Sequence, residues 1–294
     1  MITEVTGVRV GHVTDRAAIT GCTVVLLPPD TVASGEVRGG APATRELSLL
    51  APERMVEHID AVVLSGGSAF GLAAADGVMA WCEEHGRGFP TSAGRVPIVV
   101  GLSLFDLGVG DPSVRPTAAD GYRAAELADD RPVELGLVGA GTGARVDKWR
   151  GPDQARFAGL GGAVHRDGEL VVAALVAVNA AGSIDDGATA AGVRAGTVRP
   201  AETGDPFANT TIGVVVTNAA LDKQGCSLAA QSGHDGFARA LVPSHLRTDG
   251  DALVVAATGH VDAELDWVRT LVAVVVEDAI KSTGGQPRGR VADQ

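Results

Sequence analysis

Aromatic residues are scarce in this chain: its 294 residues include one Tyr, three Trp and six Phe. A core built without them must rely on small aliphatic side chains. The 40 glycines, with many alanines and valines, point to backbones that approach closely and to turns that need positive φ. Cysteine is scarce too. Cys22, Cys82 and Cys226 are odd in number and lack C-x-x-C spacing, which argues against a disulfide framework or a zinc knuckle and leaves each as a small buried hydrophobe. An excess of basic charge is also missing. With 24 Lys and Arg against 36 Asp and Glu, the net charge is −12, and a surface for nucleic acid or anionic membrane would need clustered cations. No uncharged run approaches the ~18 residues of a membrane span, and MITEVTGVRVGHVTD has no basic segment leading into an apolar one. The expectation is a globular cytoplasmic enzyme whose 45% hydrophobic residues suffice for one large core or two closely packed layers.

Val-rich runs with glycine-rich exits are abundant: GCTVVLLP (21–28), DAVVLSGG (60–67), VPIVVGLSLF (96–105), ELGLVGAG (134–141), ELVVAALVAVNAAG (169–182), TTIGVVVTNAA (210–220) and DALVVAATGH (251–260). They are expected to be strands, many buried on both faces. Helical spacing covers residues 43–59, 68–84, 118–127, 221–241 and 261–280; in the last, Leu265, Val268, Leu271, Val272, Val275, Val276 and Ile280 form one apolar stripe. This order predicts sheets between helical layers, in an α/β or α+β design. The region is read as one catalytic domain over 1–281 with a frayed tail over 282–294, and the Gly, Ala, Thr and Pro-rich loop 185–209 as functional or mobile.

LSGGSAFGL (64–72) reads as a tight turn into a helix, capped by Ser68 or Ser65; as a nucleophile elbow it fails, because position 70 is Phe where Gly is required. GAGTGA (139–144) lacks the helix and second strand of a dinucleotide site, but the RVDKWRG that follows places Lys148 in a polar turn where it can supply charge to a pocket. His12, His58, His85, His165, His234, His245 and His260 show no metal-ligand spacing, so neither metal nor cofactor is expected. His234 beside Asp235 is the one tempting pair, although neighbours on a helix point different ways.

FANTTIGVVVTNAA (207–220) sets Asn-Thr-Thr in front of a buried strand. Threonine is a weak nucleophile unless a base is close, and one solution frees its own α-amine by cutting the preceding peptide bond. Asn209-Thr210 is a candidate for that cut; the plain alternative is a loop end leading into a strand. RTDGDALVVAA (247–257) puts Asp249 and Asp251 two apart at a strand entrance, where extended geometry turns both to one side. Asn179 ends an apolar strand with an amide able to stabilise an oxyanion.

These blocks together resemble the self-processing aminopeptidase and amidohydrolase family that includes the L-aminopeptidase/D-esterase, the β-peptidyl aminopeptidases and the nylon-oligomer hydrolase. TGVRVGHVTD (6–15), GGAPATRE (39–46), LSGGSAFGL, GAGTGA, VNAAG and NTTIGVVVTNA (209–219) occur in family order over nearly the whole chain. The resemblance implies an αββα sandwich like that of N-terminal-nucleophile hydrolases and a homo-oligomer acting on peptides or small amides. It also implies Thr210 as the nucleophile freed by cleavage after Asn209, Asn179 as oxyanion donor, Lys148 beside the nucleophile, and Asp249 and Asp251 as the acidic pair around it. The aminopeptidase branch carries Ser as nucleophile with Ser and Glu at the acidic pair, so the sequence stands closer to the threonine branch. Two other readings compete: an acyltransferase of similar fold, like the ornithine acetyltransferases, and a non-catalytic small-molecule binder using the turn at 64–81 as an anion site.

Overall fold

Ten strands and five helices carry the architecture of the computed structural model, which describes residues 1–201 and 209–285. The strands are β1 (Arg9–Asp15), β2 (Thr20–Leu26), β3 (Val32–Val37), β4 (Ala43–Arg45), β5 (Ala61–Ser65), β6 (Val99–Ser103), β7 (Gly159–Asp167), β8 (Leu170–Asn179), β9 (Thr210–Ala219) and β10 (Ala252–Val261). The helices are α1 (Ala74–Glu84), α2 (Ala118–Glu126), α3 (Ala188–Arg194), α4 (Lys223–Ala240) and α5 (Leu265–Lys281). One sheet runs β1-β2-β5-β6-β4 and the other β7-β8-β9-β10-β3. In each, one parallel pair, β5 with β6 or β9 with β10, sits among antiparallel neighbours.

Alternation along the strands sets the layers, because successive side chains leave a strand on opposite faces. Val62, Leu64, Val100 and Leu102 of the first sheet meet Ala173, Leu175, Ala177, Val214 and Val254 of the second in a core between the sheets. The opposite face of the first sheet, with Val24, Ala61, Val63 and Val99, packs on Ala74, Val78 and Trp81 of α1 and Ala124 of α2. That of the second, with Val172, Val176, Val215 and Val255, packs on Phe237 of α4 and Val268, Val272 and Val275 of α5. The result is the expected αββα sandwich. All ten residues of β8 are buried, which is why its sequence reads as an unbroken apolar run.

Helix ends follow their capping residues. Asp222 accepts from Gly225 N at 2.7 Å before α4, and Glu264 accepts from Asp266 N and Trp267 N at 3.0 and 2.7 Å before α5. Two expectations fail. Residues 43–59 are not a helix: β4 is followed by a single 3-10 turn, Leu47–Leu50, entered through Glu46 at φ 58°. Residues 134–141 are not a strand, because Gly136 and Gly139 take φ of 92° and 52°, leaving one bridge from Gly136 to Leu160 and then a 3-10 turn at Gly139–Gly141. Strands β1, β3 and β7, with their partly exposed polar and glycine positions, escaped the sequence reading. Within the loop at 185–209, α3 forms over Ala188–Arg194, with Gly187 as its N-cap and Thr189 N donating to Asp185 Oδ1 at 2.9 Å. Residues 202–208 and 286–294, which include parts of that loop and of the expected tail, lie outside the described residues.

Candidate active site

The end of β8, the start of β9 and the entrance of β10 meet at one corner of the second sheet. In the ladder, Asn179 pairs with Thr210, and the parallel register then carries Ile212 against Ala252. Asn179, Thr210, Asp249 and Asp251 are each no more than 3% exposed, and Asn209 is 6% exposed. The structure thus brings the polar residues singled out on these three segments to one buried corner of the sheet. Thr210 Oγ1 bonds the carbonyl oxygen of Asn209.

Each carboxylate is held by backbone donors. Asp251 accepts from Thr211 N at 2.7 Å on Oδ1 and from His245 N at 3.1 Å on Oδ2. Asp249 accepts from Ala181 N at 3.1 Å and Leu246 N at 2.9 Å. Burial, reinforced by the charge of Asp251, pushes the Asp249 carboxyl up to about 6. The loop carrying the pair is clasped by the segment 38–41: Arg38 N donates to Asp251 O at 3.1 Å and Ala41 N to Asp249 O at 2.8 Å. Gly39 and Gly250 make this possible. A Cβ on Gly39 would lie 2.2 Å from Asp251 N, and one on Gly250 would lie 2.6 Å from Thr210 Oγ1.

Lys148 reaches the same corner from the turn Lys148–Arg150. That turn follows Asp147 at φ 65° and is fixed to the exit of β8 by Asp147 N donating to Gly182 O at 2.9 Å and Trp149 N to Ala181 O at 3.0 Å. Lys148 Nζ donates to both Asn179 O and Asn179 Oδ1 at 2.8 Å. The residue as a whole is only partly buried, but its ammonium end is enclosed by protein. Burial holds its pKa well below the usual lysine value; Asp249 opposes that shift and Arg145 adds to it. Arg145 N also donates to Asn179 Oδ1, at 3.0 Å, and Asn179 Nδ2 donates to Phe105 O at 2.8 Å, so the amide is fixed in orientation.

Two neighbours, His245 and Asp106, went unnoticed in the sequence. His245, at φ 55°, adds its ring to its own N–H on Asp251, with Nδ1 2.9 Å from Oδ2. His234 is a buried ring in α4 whose centroid lies 4.9 Å from that of His245; its pKa falls to about 4 through burial, while Asp235 points away to Arg38 at 3.7 Å. His234 and Asp235 therefore do not form a pair. Asp106 is buried beneath the turn at 64–70, where it accepts from Gly67 N and Thr20 Oγ1, both at 2.7 Å. Neither serine caps that turn: the N-cap is Gly67, and Ser65 Oγ donates to Gly66 O. Gly66 N donates to Gly21 O and Ser68 N to Leu104 O, so the amides at 66–68 all have internal partners. No signal in SLFD or SHLRTDGD marked Asp106 or His245, because each acts through contacts with distant segments. Among the described residues no group of three or more His, Cys, Asp or Glu is arranged to hold a metal ion.

The sequence profile of peptidase family S58 matches residues 1–284. The chain belongs to this family. As an S58 member it is a peptidase or amidohydrolase, and its relatives bear similar names. It is 42% identical over 294 residues to an uncharacterized aminopeptidase of Mycobacterium leprae, covering 89% of this chain and 79% of that one. It is 30% identical over 285 residues to a 6-aminohexanoate-oligomer endohydrolase of Paenarthrobacter ureafaciens, covering 87% and 74%. Among solved structures, a β-aminopeptidase of a Burkholderia species matches with a TM-score of 0.73 at 23% identity, covering 96% of this chain and 85% of that one. The L-aminopeptidase D-Ala-esterase/amidase of Ochrobactrum anthropi, described as a variant of the Ntn hydrolase fold, matches with a TM-score of 0.72 at 20% identity, covering 97% and 88%. At such identities the structural likeness carries the fold. The S58 chain thus has the αββα sandwich of that variant. No helix among its described residues is long and apolar enough to cross a membrane.

Proposed function

We propose that this S58 enzyme cuts itself between Asn209 and Thr210 and then uses Thr210 as an N-terminal nucleophile to hydrolyse peptide or peptide-like amide bonds. One observation carries the reading: a buried threonine hydroxyl lies against the carbonyl of the residue before it, with two carboxylates, an amide and a lysine around its strand end. In the first step Thr210 Oγ1 bonds to the Asn209 carbonyl carbon, its proton passes to a neighbouring base, and the Asn209–Thr210 C–N bond breaks as the nitrogen is protonated. The ester so formed is hydrolysed by water, giving an Asn209 carboxylate and a free Thr210 amine. Asp249, Asp251 and Lys148 are the bases at hand. The Asp249 carboxyl is raised to about 6, and burial holds the Lys148 amine well below its usual value.

In the mature enzyme the Thr210 amine takes the hydroxyl proton, the alkoxide attacks the substrate carbonyl, and Asn179 donates to the developing oxyanion, a contribution on the order of 3 kcal/mol. The acidic pair favours a protonated amine, and Lys148 offsets it whenever it is itself protonated. The names of the relatives, aminopeptidase and amide-oligomer hydrolase, support an amide substrate with a free amine. Intact mass spectrometry tests the proposal. We expect pieces of about 21 and 9 kDa from the 29.7 kDa chain, an uncut and inactive Thr210→Ala protein, and a Thr210→Ser protein that still processes. A chain that stays whole after prolonged incubation, with amide hydrolysis intact in Thr210→Ala, overturns the reading.

A further inference from the structure

Arg145 stands beside this machinery with no counterion among the described residues. Its Nε is shut off from water without a partner, and among the described residues its guanidinium has neither a hydrogen bond nor an ion pair. Its place is fixed by the short ribbon Arg145–Val146 with Arg156–Phe157. Val146 enters the core between the second sheet and its helices, so Arg145, its extended neighbour, leaves the ribbon on the opposite face. Arg156, on the same ribbon, does have an acid, Asp147, at 2.5 Å. The backbone N–H of Arg145 rests on Asn179 Oδ1, the same oxygen that Lys148 contacts, and its charge is felt by Lys148.

A guanidinium stays protonated throughout the physiological range, so a half-buried one without an anion carries an uncompensated desolvation cost. Burial of Arg145 already lowers its pKa. Carboxylates are the natural complement, since they accept two parallel N–H bonds from the planar fork. We propose that Arg145 is a substrate subsite that binds a carboxylate of the amide being cleaved, so that the enzyme selects short amides carrying a free carboxyl group over neutral ones. This specificity rests on the hydrolase reading above. It adds a substrate class: short peptides or amino-acid oligomers with a free acid end.

The test compares a dipeptide bearing a free C-terminus with the same dipeptide as its C-terminal amide, on the processed enzyme and on Arg145→Gln and Arg145→Lys. We expect the wild type to show a KM for the acid lower by at least ~10-fold than for the amide. In Arg145→Gln this ratio should fall to near one, and Arg145→Lys should recover part of it. Because the ratio is read within each protein, a general loss of fold or rate cancels. A wild type without preference, or a preference unchanged in Arg145→Gln, overturns the proposal. If neither dipeptide is hydrolysed, calorimetric titration with the free-acid dipeptide decides: tighter binding to wild type than to Arg145→Gln supports the subsite, and equal or absent binding overturns it. Failure of the hydrolase reading is seen separately, as an uncut chain or as hydrolysis that survives Thr210→Ala.

Discussion

Asp249 and Asp251 sit two residues apart, yet their surroundings make them different acids. Asp251 is bonded by Thr211 N, His245 N and the His245 ring; Asp249 has two backbone donors and a carboxyl raised to about 6 by burial and by its neighbour's charge. An acid whose pKa is raised in the folded protein is ionised only above that raised value. If Asp249 acts as a base, self-cleavage should therefore slow as pH falls through about 6, and timed intact-mass measurements across that range check it. The Asp249→Asn protein should lose this limb along with about 100-fold or more of the rate. His245 acts through Asp251 and is a positioning residue. Removing its ring in His245→Ala leaves a buried carboxylate oxygen with one donor fewer, at about 1–3 kcal/mol. We expect a roughly tenfold lower kcat with KM little changed and a displaced pH profile. A lower melting temperature with an unaltered profile would mean that the ring is only structural.

Between elements, backbone contact governs the site more than side-chain packing does. The entrance of β10 lies so close to the start of β9 and to the segment at 39–41 that Gly250 has no space for a methyl group: its Cβ would fall 2.6 Å from both Thr210 Oγ1 and Ala41 O. We expect Gly250→Ala to block processing, seen as a full-length mass, while far-ultraviolet circular dichroism keeps its native shape, because β10 begins only at Ala252. Gly108→Ala, where a Cβ would meet nothing within 4 Å, should process normally. The same close approach explains the wealth of glycine. Gly66 and Gly143 both press on Asp106, at 2.1 and 2.6 Å from the Cβ each would carry, so the motifs LSGGSAF and GAGTGA pack around one buried carboxylate.

Taken across the sandwich, the proposed cut falls where the fold can survive it. The second sheet runs β7-β8-β9-β10-β3, so the two strands after the proposed cleavage point are flanked on both sides by strands from before it. Separating the pieces would break the β8–β9 and β10–β3 ladders and expose the core between the sheets. We expect the two fragments to co-elute in native size-exclusion chromatography and to part only in denaturant; separation under native conditions would contradict this topology. Much of the fold was legible because buried strands such as β5, β8 and β10 read as Val-rich runs and α5 as a single stripe. Residues 43–59 misled because their apolar spacing imitates a helix, whereas Glu46 at positive φ and the packing of Leu50 against the sheets make a 3-10 turn.

Local chemistry in the chain was enough to mark the layers, the Asn-Thr-Thr entry to β9, the amide at the end of β8 and the acidic pair before β10. Periodicity and turn-forming residues act over a few positions and leave their mark on the string of letters. The isolation of Arg145, the clasp of His245 on Asp251 and the burial that sets the Asp249 and Lys148 proton affinities were decided only by packing. Each depends on which distant segments exclude water from a group and which donors they bring to it, and neighbours in sequence do not encode that.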